Sequence, residues 1–374
     1  MSNIKVSIII PVYNGELYLR SCLDAVVGQT LKDIQIIIIN DGSTDGTAQI
    51  CKEYLDDPRV SYYYKENEGL AAARADGITH AVGEYIGFVD ADDWPEPEMF
   101  EEMYNASAEC NADVAWCNKI FGENGHRTSA ELAPGVYNRE RIVHEILPIH
   151  MAYIGKFGDK RVISWSNGRR IYKRSFIEEN GIAFDRRFRR SQDLQFTFEC
   201  MLKANCFRCL SDRYLYHVRI VPNSLARGYT KNMWPLYIPL IERLYRDVED
   251  FKEIDLVPQM HLRAFFFVVE CMENEMKPTC PNDKETRVRL IREIMEHPIC
   301  ERFYGQIPVE KLNPLYREYY RLIHEKKPAQ ILSFTEKYKR RQKFKTKYAR
   351  PVANFITEGP VIGDIYKAVR GKKK

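Results

Sequence analysis

Two strongly apolar runs near the amino terminus place the strongest constraint on the fold. They span Val6 to Val12 and Ile34 to Ile39, and both have the length of a single strand. Such runs are typical of strands that are covered on both faces, as in parallel sheets. Each run ends in a polar turn, at 13–15 and at 40–45, and a segment with helical periodicity follows each turn. The pattern therefore predicts repeated strand–helix units.

The same pattern continues through the first 120 residues. Val60 to Tyr64 and Tyr85 to Val89 are predicted to be the third and fourth strands, with a helix over Leu70 to Ala81 between them. Four strands connected by helices predict an α/β fold with a mostly parallel, Rossmann-like sheet flanked by helices. The sequence lacks the glycine-rich fingerprint of dinucleotide-binding sheets. A dehydrogenase is therefore disfavoured.

Three carboxylates follow the fourth strand, at Asp90, Asp92 and Asp93, and Pro95 prevents the strand from continuing. In open α/β sheets, ligands bind at the carboxyl ends of the strands. Because the three carboxylates repel one another, a cation among them is expected. Mg²⁺ or Mn²⁺ suits such ligands, since one or two carboxylates hold it and substrate phosphates complete its shell. An acidic turn with helix-capping aspartates is the alternative for this stretch alone.

The middle of the chain contains two stretches that are rich in arginine and aromatic residues. The first, 162–175, includes Trp165, and the second, 184–193, runs through several arginines to Asp193. A strand-like segment at 214–219 follows and includes His217. An acceptor or metal role for Trp165 or His217 is a weak hypothesis, since isolated aromatic residues and histidines are more often structural.

The chain is long enough for one large core and a second, smaller one. Helical patterns dominate after about residue 226 and predict a separate helical domain over 226–336. The tail, 337–374, holds thirteen lysines and arginines against two acids, interleaved with aromatic and aliphatic residues. Residues 1–225 are predicted to form the catalytic domain, divided into halves at 1–120 and 121–225. The basic amphipathic tail predicts an anionic surface as its partner.

The hydrophobic pattern and the cysteines of the sequence predict a cytoplasmic location. No apolar run approaches the length of a membrane helix, and the amino terminus leads directly into the first strand without a signal-peptide pattern. The ten cysteines are scattered singly, which is typical of a reducing cytoplasm. Cys206 and Cys209 form one C-x-x-C pair, but no second ligand pair accompanies it, so a zinc site is disfavoured.

Five motifs, in order and spacing, resemble the family 2 glycosyltransferases, which are inverting enzymes with the GT-A fold. The resemblance covers roughly the first 120 residues and extends more weakly through Asp193 to the segment around His217. The matching stretches are Val6 to Asn14, Leu23 to Thr30, Ile36 to Asp45, Asn67 to Gly77, and Gly83 to Asp93.

The resemblance implies a role for each matching residue. Pro11, Tyr13 and Asn14 would line the nucleobase and ribose pocket, and Asp41 would accept a hydrogen bond from the uracil imide. Arg74 would hold the nucleotide, and Asp90 and Asp92 would contact the nucleotide sugar. Asp92 and Asp93 would hold Mn²⁺ or Mg²⁺, and Asp193 would be the general base. The family's Glu–Asp pair is here Gln192-Asp193. For Asp41, capping of the helix after Ser43 is an equally good interpretation.

The resemblance therefore implies metal-dependent transfer of a single sugar from a nucleotide-diphosphate sugar, with UDP the expected nucleotide, to a glycan or lipid-linked glycan. Processive synthases of the family carry a Q-x-x-R-W motif and membrane helices, and this sequence has neither. The alternatives are transfer to a polyprenyl phosphate and a non-catalytic nucleotide-sugar-binding partner of another transferase. The tail predicts peripheral attachment to the inner face of the cell membrane rather than to nucleic acid, because no nucleic-acid-binding motif accompanies it. No motif encodes the oligomeric state.

Overall fold

The computed structural model describes residues 4–122, 125–127, 132–154, 160–161, 165–221 and 228–344. Its main sheet has the order β3-β2-β1-β4-β11-β6-β12-β5, with β7 paired to β6 and β8 paired to β12. A separate two-stranded ribbon consists of β9 and β10. The strands are β1 Val6–Val12, β2 Ile34–Asp41, β3 Val60–Lys65, β4 Tyr85–Phe88, β5 Trp94–Pro95, β6 Val114–Phe121, β7 His126–Arg127, β8 Gly135–Asn138, β9 Tyr153–Ile154, β10 Lys160–Arg161, β11 Arg170–Lys173 and β12 Cys206–Val218.

Helices lie along the chain between these strands and make up the carboxyl-terminal part of the described chain. They are α1 Leu19–Val27, α2 Thr47–Lys52, α3 Leu70–His80, α4 Met99–Cys110, α5 Arg139–Arg141, α6 Leu147–Met151, α7 Arg174–Glu179, α8 Gln192–Lys203, α9 Met233–Asp250, α10 Val257–Asn274, α11 Lys284–Glu296, α12 Pro298–Phe303, α13 Pro314–His324 and α14 Pro328–Phe344. A π-helical turn, Ile142–Ile146, connects α5 to α6, and 3₁₀ turns lie at Asn167–Arg169 and Val309–Lys311.

The four predicted amino-terminal strands are confirmed, and so is the mostly parallel sheet. β1 pairs in parallel with β2 and β4, and β2 pairs in parallel with β3. All seven residues of β1 are buried, as an apolar run covered on both faces requires. The short strand β11 runs antiparallel between β4 and β6, a position that the sequence analysis did not predict. The sheet therefore brings the carboxyl ends of β1, β2 and β4 together at one edge.

Helix α3 lies directly against this sheet. A Cβ atom on Gly77 would clash with the side chain of Ile9 in β1, so only glycine allows the helix to approach this closely. The following turn brings the chain to β4, which pairs with β1 beside it. Helix α3 thus packs closely against β1, and candidate site residues follow both β1 and its neighbour β4.

The structure divides into two compact units. The first contains residues 1–227 and 231–266, and the second contains residues 228–230 and 267–374. Helix α9 belongs to the first unit, where the Tyr237 hydroxyl lies 3.1 Å from Ser191 Oγ and Arg243 pairs with Glu199 of α8 at 3.3 Å. The predicted domains, 1–225 and 226–336, stay a prediction.

The second unit has a helical core of its own, in which Tyr319 of α13 bonds to Thr335 of α14 at 2.8 Å. None of the helices in the described ranges is both long and apolar enough to cross a membrane. The described chain ends with α14, so residues 345–374 of the predicted basic tail lie outside the described residues.

Candidate active site

The loops that follow β1 and β2 are hydrogen-bonded to each other. Asn14 has a φ of 50°, and its Oδ1 accepts a hydrogen bond from the Thr44 amide at 2.8 Å. The Asn14 amide donates to Ser43 Oγ at 2.9 Å. Pro11 is buried within β1, whereas the Tyr13 side chain is 55% exposed beside it. This pair of loops forms a rigid rim at the carboxyl edge of the sheet, with the Tyr13 ring presented to solvent.

Asp41, the last residue of β2, is almost fully buried and is fixed through both of its carboxylate oxygens. Oδ1 accepts a hydrogen bond from the Glu68 amide at 2.9 Å, and Oδ2 accepts one from the Gly69 amide at 2.7 Å. These amides directly precede α3, so Asp41 fixes the loop that leads into that helix. The interpretation that it caps the helix after Ser43 is wrong. Asp45 occupies that position at α2, where it accepts from the Thr47 amide.

The acidic loop consists of Asp90, Asp92 and Asp93, directly after β4. The Asp90 amide donates to the Tyr216 hydroxyl at 3.1 Å. Asp93 is 5% exposed, and its Oδ1 accepts a hydrogen bond from the Arg219 amide at 2.9 Å. Burial and then repulsion from Asp90 and Asp92 raise the pKa of Asp93. Burial and Asp90 likewise raise the pKa of Asp92. The loop therefore carries crowded negative charge that a cation would relieve.

Arg74 joins the acidic loop to the predicted base. Its side chain is 1% exposed, and Nη2 lies 2.7 Å from Asp90 Oδ1 while Nη1 bonds to Asp193 Oδ1. Its guanidinium lies 5.9 Å from the ring centroid of Phe88 and 5.7 Å from that of Phe184. One buried cation thus holds two carboxylates that are separated by about a hundred residues of sequence. Both of its terminal nitrogens are engaged with the protein, a partnership that the sequence analysis did not anticipate.

Asp193 lies in the first turn of α8, and its side chain is 23% exposed. Asn167 Nδ2 donates a second hydrogen bond to Asp193 Oδ1, at 3.0 Å. Burial raises the pKa of Asp193, and the charge of Arg74 opposes that shift. A carboxylate with a raised pKa is a better proton acceptor than a freely solvated one.

Two of the arginines before Asp193, Arg186 and Arg187, pair with carboxylates of the protein. Arg186 bonds to Asp76 and lies 3.1 Å from Glu68. Arg187 pairs with Asp185 at 2.6 Å. Protein carboxylates therefore occupy these two guanidinium groups, because the segment that carries them lies across the start of α3.

Trp165 and His217 are both packed against other aromatic or charged groups. The Trp165 ring contacts His150 at a centroid distance of 4.4 Å and lies 5.6 Å from the Arg263 guanidinium. The His217 ring stacks on Trp94 at 4.8 Å, and its Nε2 lies 2.6 Å from Glu96 Oε1. Their acceptor or metal roles stay predictions.

Three further residues support the site, and the sequence analysis gave none of them a role. Tyr216 and Arg219 lie in the strand-like segment 214–219, and both bond to the backbone of the acidic loop. The Tyr216 hydroxyl accepts from the Asp90 amide, and Arg219 Nε donates to the Asp92 carbonyl at 3.0 Å. Asn167 lies in the flagged stretch 162–175, but its contact with Asp193 depends on tertiary packing and has no local signal.

A solved structure shares the overall fold of this chain. Crystallised TarS of S. aureus, residues 1–349 in complex with UDP-GlcNAc, superposes with a TM-score of 0.65 at 18% identity and covers 90% of this chain and 92% of that one. At this identity the likeness shows the fold alone. The fold is GT-A, as the resemblance implied.

Sequence comparisons then give the family. The model of glycosyl transferase family 2 matches residues 7–181. EpsH of Bacillus subtilis (strain 168), a relative named as a glycosyltransferase, is 30% identical over 311 residues, which are 80% of this chain and 85% of EpsH. A poly(ribitol-phosphate) beta-glucosyltransferase of Bacillus spizizenii is 30% identical over 251 residues, 66% of this chain and 36% of that relative. The chain belongs to glycosyl transferase family 2 and is a glycosyltransferase.

Proposed function

We propose that this glycosyltransferase moves a single sugar from a UDP-sugar to a glycan or lipid-linked glycan acceptor, with inversion at the anomeric carbon. The observation that carries the proposal is the buried Arg74 bridge, which places Asp193 beside the acidic loop. An acid that far away in sequence can act on the same substrate only if the fold brings it to the donor site. The shared guanidinium meets this requirement.

The donor would bind at the rim formed by the loops after β1 and β2. Pro11, Tyr13 and Asn14 would surround the nucleobase and ribose, and Asp41 would accept a hydrogen bond from the uracil imide. The bonds from the Glu68 and Gly69 amides do not exclude that role, because each carboxylate oxygen has a second lone pair. UDP is proposed because TarS, which shares the fold, was crystallised with UDP-GlcNAc.

A divalent cation, Mn²⁺ or Mg²⁺, would be held by Asp92 with Asp93, while Asp90 would contact the donor. Within the described ranges, no three or more His, Cys, Asp or Glu side chains are arranged to hold a metal by themselves. Two carboxylates with raised pKa values fit an ion whose shell is completed by substrate phosphates. When bound, the ion would offset negative charge on the departing diphosphate.

Asp193 would accept the proton of the acceptor hydroxyl. The freed oxygen forms a bond to the anomeric carbon on the face opposite the diphosphate, and the bond from that carbon to the diphosphate oxygen breaks. The electron pair leaves with UDP, and the proton stays on Asp193. Attack from the opposite face gives inversion, and a positioned base contributes roughly 10²–10⁴-fold to such a step.

The acceptor is proposed to be a cell-surface polysaccharide precursor. The relative from Bacillus spizizenii is named for a phosphate-rich polymer. Trp165 and His217 are weaker candidates for contacts with the acceptor. The tail, 337–374, would hold the enzyme on the anionic cytoplasmic face of the membrane.

The Asp193→Asn variant tests the base. We expect it to retain UDP binding within about threefold while transfer falls by roughly 10²–10⁴-fold, since the general base is lost and the residues proposed to surround the nucleotide are unchanged. Asp247→Asn is the matched control, because Asp247 is also a partly buried aspartate paired with an arginine, at 2.7 Å. Radiolabelled sugar transfer and UDP titration calorimetry measure the two effects. Unchanged turnover in Asp193→Asn would remove Asp193 from the mechanism, and complete inactivity of the wild type toward every UDP-sugar would favour a non-catalytic binding partner.

A further inference from the structure

We infer that Asn167 is a positioning residue for the general base: it fixes Asp193 through Oδ1 and thereby leaves Oδ2 for the acceptor hydroxyl. The inference rests on the proposed function, which makes Asp193 the base. Asn167 is fully buried in the 3₁₀ turn that precedes β11. A buried amide whose donor is aimed at a catalytic carboxylate restricts where that carboxylate can lie.

The orientation of the Asn167 amide follows from its two partners. An ionised carboxylate only accepts hydrogen bonds, so the NH₂ group of Asn167 must face Asp193. The Tyr172 hydroxyl then donates to Asn167 Oδ1 on the other side. Tyr172 is itself fully buried in β11, a strand paired on both sides. The sheet therefore holds the tyrosine, the tyrosine orients the amide, and the amide orients the base.

Both hydrogen bonds to the Asp193 carboxylate end on the same oxygen. Arg74 Nη1 and Asn167 Nδ2 each donate to Oδ1. Nothing in the described part of the chain donates a hydrogen bond to Oδ2, and the side chain keeps 23% of its surface exposed. Oδ2 is thus the oxygen left to accept a hydrogen bond from a bound hydroxyl, at the roughly 2.6–3.2 Å that proton transfer needs.

Asn167 differs from Arg74 in what it does to basicity. A full positive charge beside a carboxylate stabilises its ionised form strongly and weakens it as a base. For Asp193, the charge of Arg74 lowers the pKa more than the hydrogen bond from Asn167 does. A neutral amide therefore adds a second point of attachment at a smaller loss of basicity than a second arginine would cause.

The 3₁₀ turn that carries Asn167 also contacts Tyr216, which bonds to the backbone of the acidic loop. A Cβ atom on Gly168 would clash with the Tyr216 hydroxyl, which accepts a hydrogen bond from the Asp90 amide. The turn therefore packs against Tyr216 on one side and bonds to Asp193 on the other. Its position couples the placement of the base to that of the loop where the donor would bind.

Asn167→Ala tests the inference, with Asn118→Ala as the matched control. Asn118 is also a buried asparagine, and its Nδ2 donates to the Ser211 carbonyl at 3.0 Å. We expect kcat of Asn167→Ala to fall roughly 10- to 100-fold with the donor KM within about threefold, since a 1 Å misplacement costs up to about 10²-fold. Loss of a donor to the ionised carboxylate should also move the acid limb of the kcat/KM profile to higher pH. Tyr172→Phe should give a smaller fall in kcat in the same direction.

The outcomes separate this inference from the proposed function. Asn167→Ala with wild-type kcat and an unmoved acid limb, while Asp193→Asn abolishes transfer, would overturn the positioning role alone. An equal loss of kcat in Asn118→Ala would overturn it too, because general destabilisation would then explain both variants. Full transfer by Asp193→Asn would instead overturn the proposed function. Thermal unfolding of each variant records whether the fold is retained.

Discussion

Asp92 and Asp93 are neighbours in sequence, but their environments differ. Asp93 is buried, and the Arg219 amide occupies its Oδ1. Asp92 is only partly buried, and Arg219 bonds to its backbone carbonyl rather than to its carboxylate. Arg219 thereby holds the loop at both residues. The Asp92 carboxylate is the more accessible of the two, so we expect it to contribute more to binding a cation.

Asp92→Asn should therefore lower the affinity for Mn²⁺ more than any other single change in the acidic loop. We expect chelation with EDTA to abolish transfer by the wild type and Mn²⁺ to restore it. Even an outer-shell partner contributes roughly 10–100-fold to metal affinity, so Asp92→Asn should raise the half-maximal Mn²⁺ concentration at least that much. Initial rates over a Mn²⁺ series measure this, with Asp56→Asn, an exposed acid before β3, as the control. Transfer that survives exhaustive chelation would contradict the metal assignment.

Single residues of the site were predictable where a short motif carries them. Asp90 and Asp193 were both identified from local patterns that resemble a family. Their joint bond to Arg74 was not, because residues 74 and 193 meet only after the whole sheet has formed. Asn167 carried no signal at all, since a buried asparagine in sequence looks like any polar turn residue. Partnerships between distant residues are decided by packing, which periodicity and spacing do not encode.

Helix α3 is the element that connects the two parts of the site. The Gly69 amide just before it donates to Asp41, and about one turn into the helix Arg74 reaches Asp90 and Asp193. Gly77 then seats the helix against Ile9 of β1. A small displacement of this helix would therefore disturb the rim, the acidic loop and the base together.

Gly77→Ala tests that dependence. The added methyl clashes with a fully buried side chain, and overpacking of this kind costs about 1–3 kcal/mol of unfolding free energy. The higher helix propensity of alanine offsets about 0.5–1 kcal/mol of that cost. We expect a lower melting temperature and a larger loss of transfer rate than stability alone explains, measured by scanning fluorimetry and initial rates.

Thr79→Ala is the control for this element, because Thr79 is exposed on the same helix and such surface changes usually stay within about 0.5 kcal/mol. If Gly77→Ala is as stable and as active as wild type, the helix is not seated as described.

Elements were predictable to the extent that hydrophobic periodicity defines them. The strands β1 to β4 and the helices between them follow directly from apolar runs and polar turns. β11 was missed, since it has only four residues and charged side chains, Arg170 and Lys173, occupy both of its ends. Its identity as a strand comes from the pairing with β4 and β6 on both sides. The mostly parallel α/β sheet could therefore be predicted from the sequence, whereas the antiparallel strand β11 could not.

Charge is unevenly distributed over the whole molecule. The net charge is +4, yet the segment 337–374 alone carries thirteen basic residues against two acids. The preceding 336 residues are therefore net negative and would be repelled by an anionic surface. An enzyme with this distribution should approach such a surface through its carboxyl terminus.

A full-length variant with Lys343, Lys345, Lys347 and Arg350 changed to glutamine tests this attachment. Each basic residue near an anionic leaflet is worth about 1 kcal/mol, so we expect partitioning onto phosphatidylglycerol vesicles to fall by roughly 10³-fold. The matched control changes four exposed basic residues elsewhere to glutamine: Lys284, Arg289, Arg292 and Lys311. Vesicle flotation measures both variants, with neutral phosphatidylcholine vesicles as the reference.

The tail variant and the control variant each lose four positive charges, so comparing them separates an effect of net charge from an effect of the tail itself. If attachment depended only on net charge, both variants would lose partitioning equally, since both lose four positive charges. If the tail is the attachment site, only the first variant floats poorly, and raising the salt concentration should release the wild type as well, because screening shortens the reach of the leaflet's field. Equal flotation of the tail variant and the wild type would show that residues 337–374 do not hold the enzyme to the membrane. Such a result would leave the proposed transfer reaction untouched, because transfer in solution does not depend on membrane attachment.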